Sequence, residues 1–450
     1  MMNESTPLMP PWRPTAQKTY IFINASIVCP LTSRIFHHRT IKISNGYIES
    51  ITDTEEGYTL VSHPHETTVD LSGKFLCPGL IDSHVHIAAV PGTDTLGELM
   101  SLTEDVGALR QPYICQQMLG RGFTTVRDCG GANLALKEAI EEGVVEGPRL
   151  FIAGKALSQT GGHGDPRGAY DTSCCSGRGL GLCRVCDGVP ECSRAARDEL
   201  RKGANFIKIM SGGGVASPTD KFDSVQFSAE EIRAISTVAD SAGTYVTAHA
   251  YTPRSIRHAI DNGVTGIEHG NMIDEETARF MASKNIYLTP TLVTYAAMAD
   301  PRFRAFIPAK NAAKNDGVLE AGLHSLRIAN EAGVKICFGT DLLGPMTTLQ
   351  SREFGLRARV LSSGDVLKSA TVTPAKRLGI ENVLGQIKAG FLADILILNK
   401  NPLDSVRVLD RPESTVLAVI KDGRVYNSRW TKLPRDIQDA GTTTMNELGQ

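Results

Sequence analysis

The run Gly79-Leu80-Ile81-Asp82-Ser83-His84-Val85-His86-Ile87 sets the reading of this chain. It closes an apolar segment that begins at Phe75 and is broken only by Pro78-Gly79 and a few polar residues near its end, the pattern of a buried strand. Side chains two apart on a strand point the same way, so His84 and His86 share one wall at the strand's end. Two imidazoles so placed suit a metal ion. A pair of core histidines bonded to backbone is the alternative that this motif alone leaves open.

Four later stretches repeat the arrangement. Ala204-Asn205-Phe206-Ile207-Lys208-Ile209-Met210 is a strand with a lysine among apolar residues, and Gly212-Gly213-Gly214 follows it. Tyr245-Val246-Thr247-Ala248-His249-Ala250-Tyr251 ends in histidine, as does the shorter Gly266-Ile267-Glu268-His269-Gly270. Val334-Lys335-Ile336-Cys337-Phe338-Gly339-Thr340-Asp341 ends in aspartate. Each polar residue sits where a buried strand gives way to a loop, which core packing alone does not explain.

Outward from these strands the grammar is helix then strand, repeated. Helices over Gln111–Arg121, Leu134–Glu142, Cys192–Lys202, Ala229–Ala242, Pro253–Asn262 and Asp274–Lys284 each lead to a strand, and one long helix over Ala312–Ala332 leads to the Asp341 strand. This alternation predicts an α/β fold with a closed parallel (β/α)8 TIM barrel over 79–387, its active site at the carboxyl ends of the strands. Both ends of the chain have a different, strand-turn-strand character. Tyr20–Val28 and Ile41–Ile51 carry the turn signal Asn45-Gly46, and Ala393–Leu398 and Val416–Tyr426 carry Asp422-Gly423. They are expected to pack together as one small β-sandwich over 19–78 and 388–430, between a flexible arm, 1–18, and a C-terminal tail, 431–450.

Composition bounds the function. The chain has 450 residues, 41% of them hydrophobic, and a formal net charge of −2. Without a basic tract there is no electrostatic footprint for nucleic acid, and no apolar stretch approaches the ~18–20 residues that span a membrane. Met1–Lys18 is polar and proline-containing, unlike a secretory signal, so a cytoplasmic protein with mostly reduced cysteines is expected. Among those cysteines, Cys174, Cys175, Cys183, Cys186 and Cys192 crowd one glycine-rich loop. Cys183-Arg184-Val185-Cys186 has zinc-knuckle spacing, but the rest is irregular, and plain thiols are the reading preferred over a structural zinc.

Taken together, His-x-His after Pro-Gly-Leu-Ile-Asp, Ile-Lys-Ile-Met before glycines, Ala-His-Ala-Tyr, Glu-His-Gly and Gly-Thr-Asp resemble the amidohydrolase superfamily. The likeness runs over roughly Thr19–Tyr426 and is best to the prolidase-like branch, which includes ochratoxinase and zinc-dependent Xaa-Pro and N-acyl-amino-acid carboxypeptidases. The resemblance implies a distorted (β/α)8 barrel, two Zn(2+) or other divalent ions per chain, and a homo-oligomer. It implies that His84, His86 and Asp341 bind one ion and His249 and His269 the other, with Lys208, carboxylated to its N6-carboxy form, bridging them. Burial of Lys208 in an apolar strand favours the neutral amine that carbon dioxide can attack; a lysine paired with a carboxylate is the alternative. The implied chemistry is hydrolysis of a small-molecule amide or dipeptide by a hydroxide bridging the ions, with Asp341 handling the proton.

Substrate contacts are expected from His163, in the loop Gln159-Thr160-Gly161-Gly162-His163-Gly164-Asp165, and from Tyr251 and Arg254, although glycine loops also form simple turns. Rival activities are weighed on the same residues. Ring deaminases of the superfamily use one metal and no bridging lysine, and cyclic amidases usually carry an arginine just beyond His-x-His, where this chain has Ile87-Ala88-Ala89. A lactonase or phosphotriesterase would use the same metal pair and stays open. A non-catalytic scaffold predicts missing ligands, and none is missing.

Overall fold

The computed structural model describes residues 12, 17–55, 66–172, 180–217, 220–306 and 308–436, the side chains of 309–310 excepted. Most of the expected N-terminal arm and the tail beyond 436 therefore lie outside the described residues. The start of the tail is docked: Leu433 is buried, and the Tyr20 hydroxyl donates to Asp436 at 2.6 Å.

The two ends of the chain do meet. Thr19–Cys29, Arg34–Ser44, Tyr47–Asp53, Glu66–Asp70 and Phe75–Pro78 join Ile395–Leu398, Val416–Lys421 and Arg424–Ser428 in one eight-stranded mixed sheet. The two turn signals work as read. Asn45-Gly46 and Asp422-Gly423 both take the left-handed conformation at both positions, with φ of 50° and 85° and of 48° and 75°, as a tight hairpin requires. Tyr20, Phe22, Ile41, Ile43 and Leu76 share a core with Ile395, Ile397, Ile420 and Val425, so the sheet encloses apolar side chains from both termini.

The segment read as a single strand from Phe75 is two. Phe75–Pro78 pairs antiparallel with Ile395–Leu398 in the terminal sheet, whereas Leu80–Val85 pairs parallel with Phe123–Asp128. Gly79 is the transfer point. Its amide donates to Asp394 while the next amide, of Leu80, donates to Gly122, and a Cβ at Gly79 would lie 2.2 Å from the Thr124 hydroxyl. Only glycine lets the chain pass between the sheets here.

The parallel strands alternate with helices as expected but are distributed over two ladders. One holds Leu80–Val85, Phe123–Asp128 and Arg149–Ile152; the other is seven-stranded and includes Ile207–Met210, Val246–Ala250, Gly266–His269, Tyr287–Thr289 and Lys335–Ile336. Single backbone hydrogen bonds bridge their margins: Ser83 N to Phe338 O at 2.7 Å and Asp341 N to His84 O at 2.8 Å on one side, Asn205 N to Ile152 O at 2.7 Å on the other. The strand expected through Asp341 is short because its last residues leave the ladder. The helix expected over Ala312–Ala332 is two helices, Ala309–Lys314 and Val318–Glu331, broken where Gly317 adopts a φ of 73°. Among the described residues, no helix is long and apolar enough to cross a membrane.

Phe338 sits at the seam between the two ladders, fully buried, with Phe123 and Phe354 at ring distances of 5.7 and 4.4 Å. Phe338→Ala is expected to cost about 3–5 kcal/mol of unfolding free energy, because the ring's neighbours come from three elements and cannot all collapse into the void. Urea unfolding measures it, and a loss below about 1 kcal/mol would contradict this packing.

Candidate metal centre

The carboxyl ends of the parallel strands open into a cavity of about 1030 Å³ lined in part by His86, His163, His249, Tyr251 and Asp341. At its floor the residues singled out from sequence come together. His84 Nε2 and His86 Nε2 lie 3.4 and 3.2 Å from Oδ1 of Asp341, and His269 Nδ1 lies 3.9 Å from Oδ2. The His84, His86 and Asp341 donor atoms all fall within 4.8 Å of one another. The His84 and His269 rings are 4.9 Å apart, those of His269 and His249 4.5 Å.

Each imidazole commits one nitrogen to the protein, and for His84, His86 and His249 the partner is an acceptor that fixes where the lone pair points. His86 Nδ1 donates to the Gly130 carbonyl at 2.9 Å, and His249 Nε2 donates to the Gly213 carbonyl at 3.1 Å. His84 Nδ1 is 2.8 Å from a carboxylate oxygen of Glu268, and His269 Nδ1 is 2.8 Å from the Thr291 hydroxyl. A carbonyl can only accept, so those nitrogens carry the hydrogen and the opposite ones present lone pairs. This is how metal-binding histidines are oriented by their surroundings.

Charge state agrees with that role. Burial, helped by Lys208, pushes the His84 imidazole down to about 4 against the pull of Asp341 and Glu268. Burial also drives His249 and His269 well below the ordinary histidine value, leaving neutral rings at neutral pH. Burial would raise the Asp341 carboxyl, yet His84, His86 and His269 together outweigh it and hold it well below the usual carboxylate range. Lys208 is buried on the strand Ile207–Met210 and close enough to His84, His249 and His269 for its charge to disfavour theirs. Among the described residues no carboxylate forms an ion pair with it, so the carboxylate-paired lysine considered above is not what is found. Lys208 thus lies buried among the imidazoles, near enough to Glu268 for its charge to favour that carboxylate. These donors fit divalent cations.

What holds His84 in place comes from strands distant in the chain. Glu268 is completely buried; one oxygen faces His84 while the other accepts from Arg127 at 2.6 Å and from the Thr247 hydroxyl. Arg127 Nε donates to the Ser83 carbonyl at 2.6 Å, and the same guanidinium reaches Thr289 at 3.2 Å. Two charged residues inside apolar strands were the available signal. Two of the candidate ligands, His269 and Asp341, have φ of 72° and 53°, a left-handed backbone that non-glycine residues seldom adopt away from functional sites.

Of the expected substrate contacts, two line the cavity. His163 stacks on His249 at 4.0 Å with its Nδ1 2.9 Å from the Ser217 hydroxyl, and Tyr251 is 4.9 Å from His249. Arg254 is a correction: it is exposed on the helix Pro253–Asp261 and does not line the cavity, because the chain turns outward at the Thr252 cap. The cavity's guanidinium is instead that of Arg167, bound to both oxygens of Asp165. Cys183, Cys186 and Cys192 are free thiols; Cys174 and Cys175 lie outside the described residues.

Parallel strands that bring histidines and an aspartate to one pocket suit a metal-dependent hydrolase, and comparison with known proteins names the family. Residues 75–426 match the model of the amidohydrolase family. The chain belongs to that family, and within it to the prolidase- and ochratoxinase-like branch. Ochratoxinase of Aspergillus niger is 30% identical over 371 residues, covering 78% of this chain and 75% of that one. The crystal structure of an amidohydrolase superimposes with a TM-score of 0.85 at 46% identity, over 90% of this chain and 98% of that one. The structure of a prolidase complexed with N-methylphosphonate-L-proline does so with a TM-score of 0.86 at 41% identity, over 91% and 100%.

Glu268→Gln keeps the volume but removes the charge that faces His84 and Arg127. It is expected to weaken metal retention by about 10- to 100-fold, the usual effect of losing a ligand's orienting partner. Competition against a graded chelator reads this directly; unchanged retention would mean that Glu268 only braces Arg127.

Proposed function

We propose that this protein is a binuclear metal-dependent hydrolase that cleaves the amide bond of N-acyl amino acids or dipeptides, Xaa-Pro dipeptides among them. Its metals would be zinc or another divalent ion. The two parallel ladders with their bridging bonds would then be one distorted (β/α)8 barrel over 79–387. The terminal sheet would be its β-sandwich over 19–78 and 388–430. The observation that carries the activity is the gathering of His84, His86, His249, His269 and Asp341 beneath one cavity, with the buried Lys208 near enough to bear on the charge of His84, His249 and His269. Kinship with ochratoxinase and a prolidase supports the substrate class.

In this reading His84, His86 and Asp341 hold one ion, His249 and His269 the other, and carboxylated Lys208 joins them. When bound, the two cations supply Lewis acidity to the amide carbonyl and bring the pKa of water from ~15.7 towards ~7. The protein's own groups do the rest. Asp341, held ionised by its histidines, is a base able to take a proton from the attacking water and return it to the leaving nitrogen. Tyr251 and His163 face the same cavity and are placed to hold substrate oxygens. The cavity's volume admits more than a bare dipeptide, and Leu96, Met100, Met298 and Leu343 give it an apolar wall for the acyl part.

A library of dipeptides and N-acyl amino acids, ochratoxin A included, tests the reading through release of the free amino acid. Turnover is expected for members of this library and is expected to vanish with a chelator and return with zinc. Activity confined to lactones or phosphotriesters would overturn it. Asp341→Asn should lower kcat by at least about 100-fold, in line with loss of a general base and a ligand together; a loss under tenfold in steady-state assays would remove Asp341 from the chemistry.

A further inference from the structure

Tyr251 and Tyr295 are both buried and meet hydroxyl to hydroxyl. Tyr251 follows the strand Val246–Ala250, and Tyr295 lies on the helix Leu292–Ala299. The Tyr295 O–H donates to the Tyr251 oxygen at 2.8 Å. A phenol oxygen has one proton to give and room for about two incoming bonds. Tyr295 thus fills an acceptor place on Tyr251, and among the described residues no hydrogen bond takes up the Tyr251 proton. What remains beside it is the cavity, with the His249 and His269 rings 4.9 and 5.3 Å from its own.

The ring cannot turn away. Phe222 stacks on it at 4.6 Å, 6° from parallel, from the opposite wall. Tyr295 shares its helix region with Thr291, whose hydroxyl is 2.8 Å from His269 Nδ1.

We propose that Tyr295 is a positioning residue that makes Tyr251 an obligate hydrogen-bond donor toward a substrate oxygen, carbonyl or carboxylate, at the metal end of the cavity. This rests on the amide-hydrolase reading for the identity of the substrate but not for the direction of the hydrogen bond. With Tyr295 as phenylalanine, Tyr251 regains an acceptor place and its proton is no longer directed.

The test is a double-mutant cycle on the metal-loaded protein with Tyr251→Phe, Tyr295→Phe and both. It is read as kcat and KM on the best dipeptide of the library and as Kd for N-methylphosphonate-L-proline. Tyr295→Phe is expected to lower kcat/KM by about tenfold and to weaken the phosphonate by a similar factor, the size of one directed hydrogen bond, with metal content unchanged. The double variant is expected to be no worse than Tyr251→Phe. Losses that multiply, or a silent Tyr295→Phe, would overturn the assignment. Tyr295→His, which keeps a ring N–H donor at the position, is expected to recover part of the loss, which covers a Tyr295→Phe that folds poorly. If the wild type binds the phosphonate but hydrolyses no amide, the amidase reading fails alone, and the cycle in Kd still decides the role of Tyr295.

Discussion

The structure depends on keeping a charged network satisfied in a dry interior. Glu268 and Arg127 are both fully buried, and neither would be tolerable without the other. Together they use the Ser83 carbonyl, the Thr247 and Thr289 hydroxyls and His84 Nδ1, tying several parallel strands at one depth. Removing a single partner would leave an uncompensated charge beneath the cavity. The network's consequence for chemistry is that His84 presents Nε2 toward Asp341 and nothing else.

The same principle operates one layer higher. His86 and His249 are fixed through backbone carbonyls, His269 through Thr291, and the backbone of His269 and Asp341 is held in the left-handed region. Such conformations persist only where the surroundings over-determine them. Here the Asp341 amide is bonded to the His84 carbonyl and the Thr340 hydroxyl to Asp82, whose other oxygen accepts the His84 amide. The strand end that carries Asp341 is therefore locked to the strand end that carries His84. Preorganisation of this kind holds the imidazoles and an ionised carboxylate at close range, with His86 Nε2 3.2 Å from Asp341.

Much of this was legible from residue order. Apolar runs ending in His, Lys or Asp located the cavity floor, because only a strand's end can show a polar side chain to a pocket while its body stays buried. Asn45-Gly46 and Asp422-Gly423 located the terminal hairpins through their backbone preference. What stayed hidden depends on contacts between distant segments. Pro78-Gly79 interrupts the first run visibly, but only the neighbouring Thr124 shows that the chain changes sheets there. The helix break at Gly317 hides in a helical pattern that continues on both sides. Glu268 read as part of a motif around His269, although its partners, Arg127 and His84, lie 141 and 184 positions away. Arg254 looked near Tyr251 in sequence, and a helix start turned it outward.

All of these features converge on one claim: that six side chains from five strand ends form a seat for two divalent cations, with Lys208 as a carbamate between them. Crystals grown with zinc and bicarbonate, measured on both sides of the zinc absorption edge, examine it directly. The account predicts two anomalous peaks at the cavity floor, about 3.5–4 Å apart, with density joining the Lys208 side chain to both. No peak there, together with an unmodified Lys208 pointing away from the four histidines and Asp341, would contradict it.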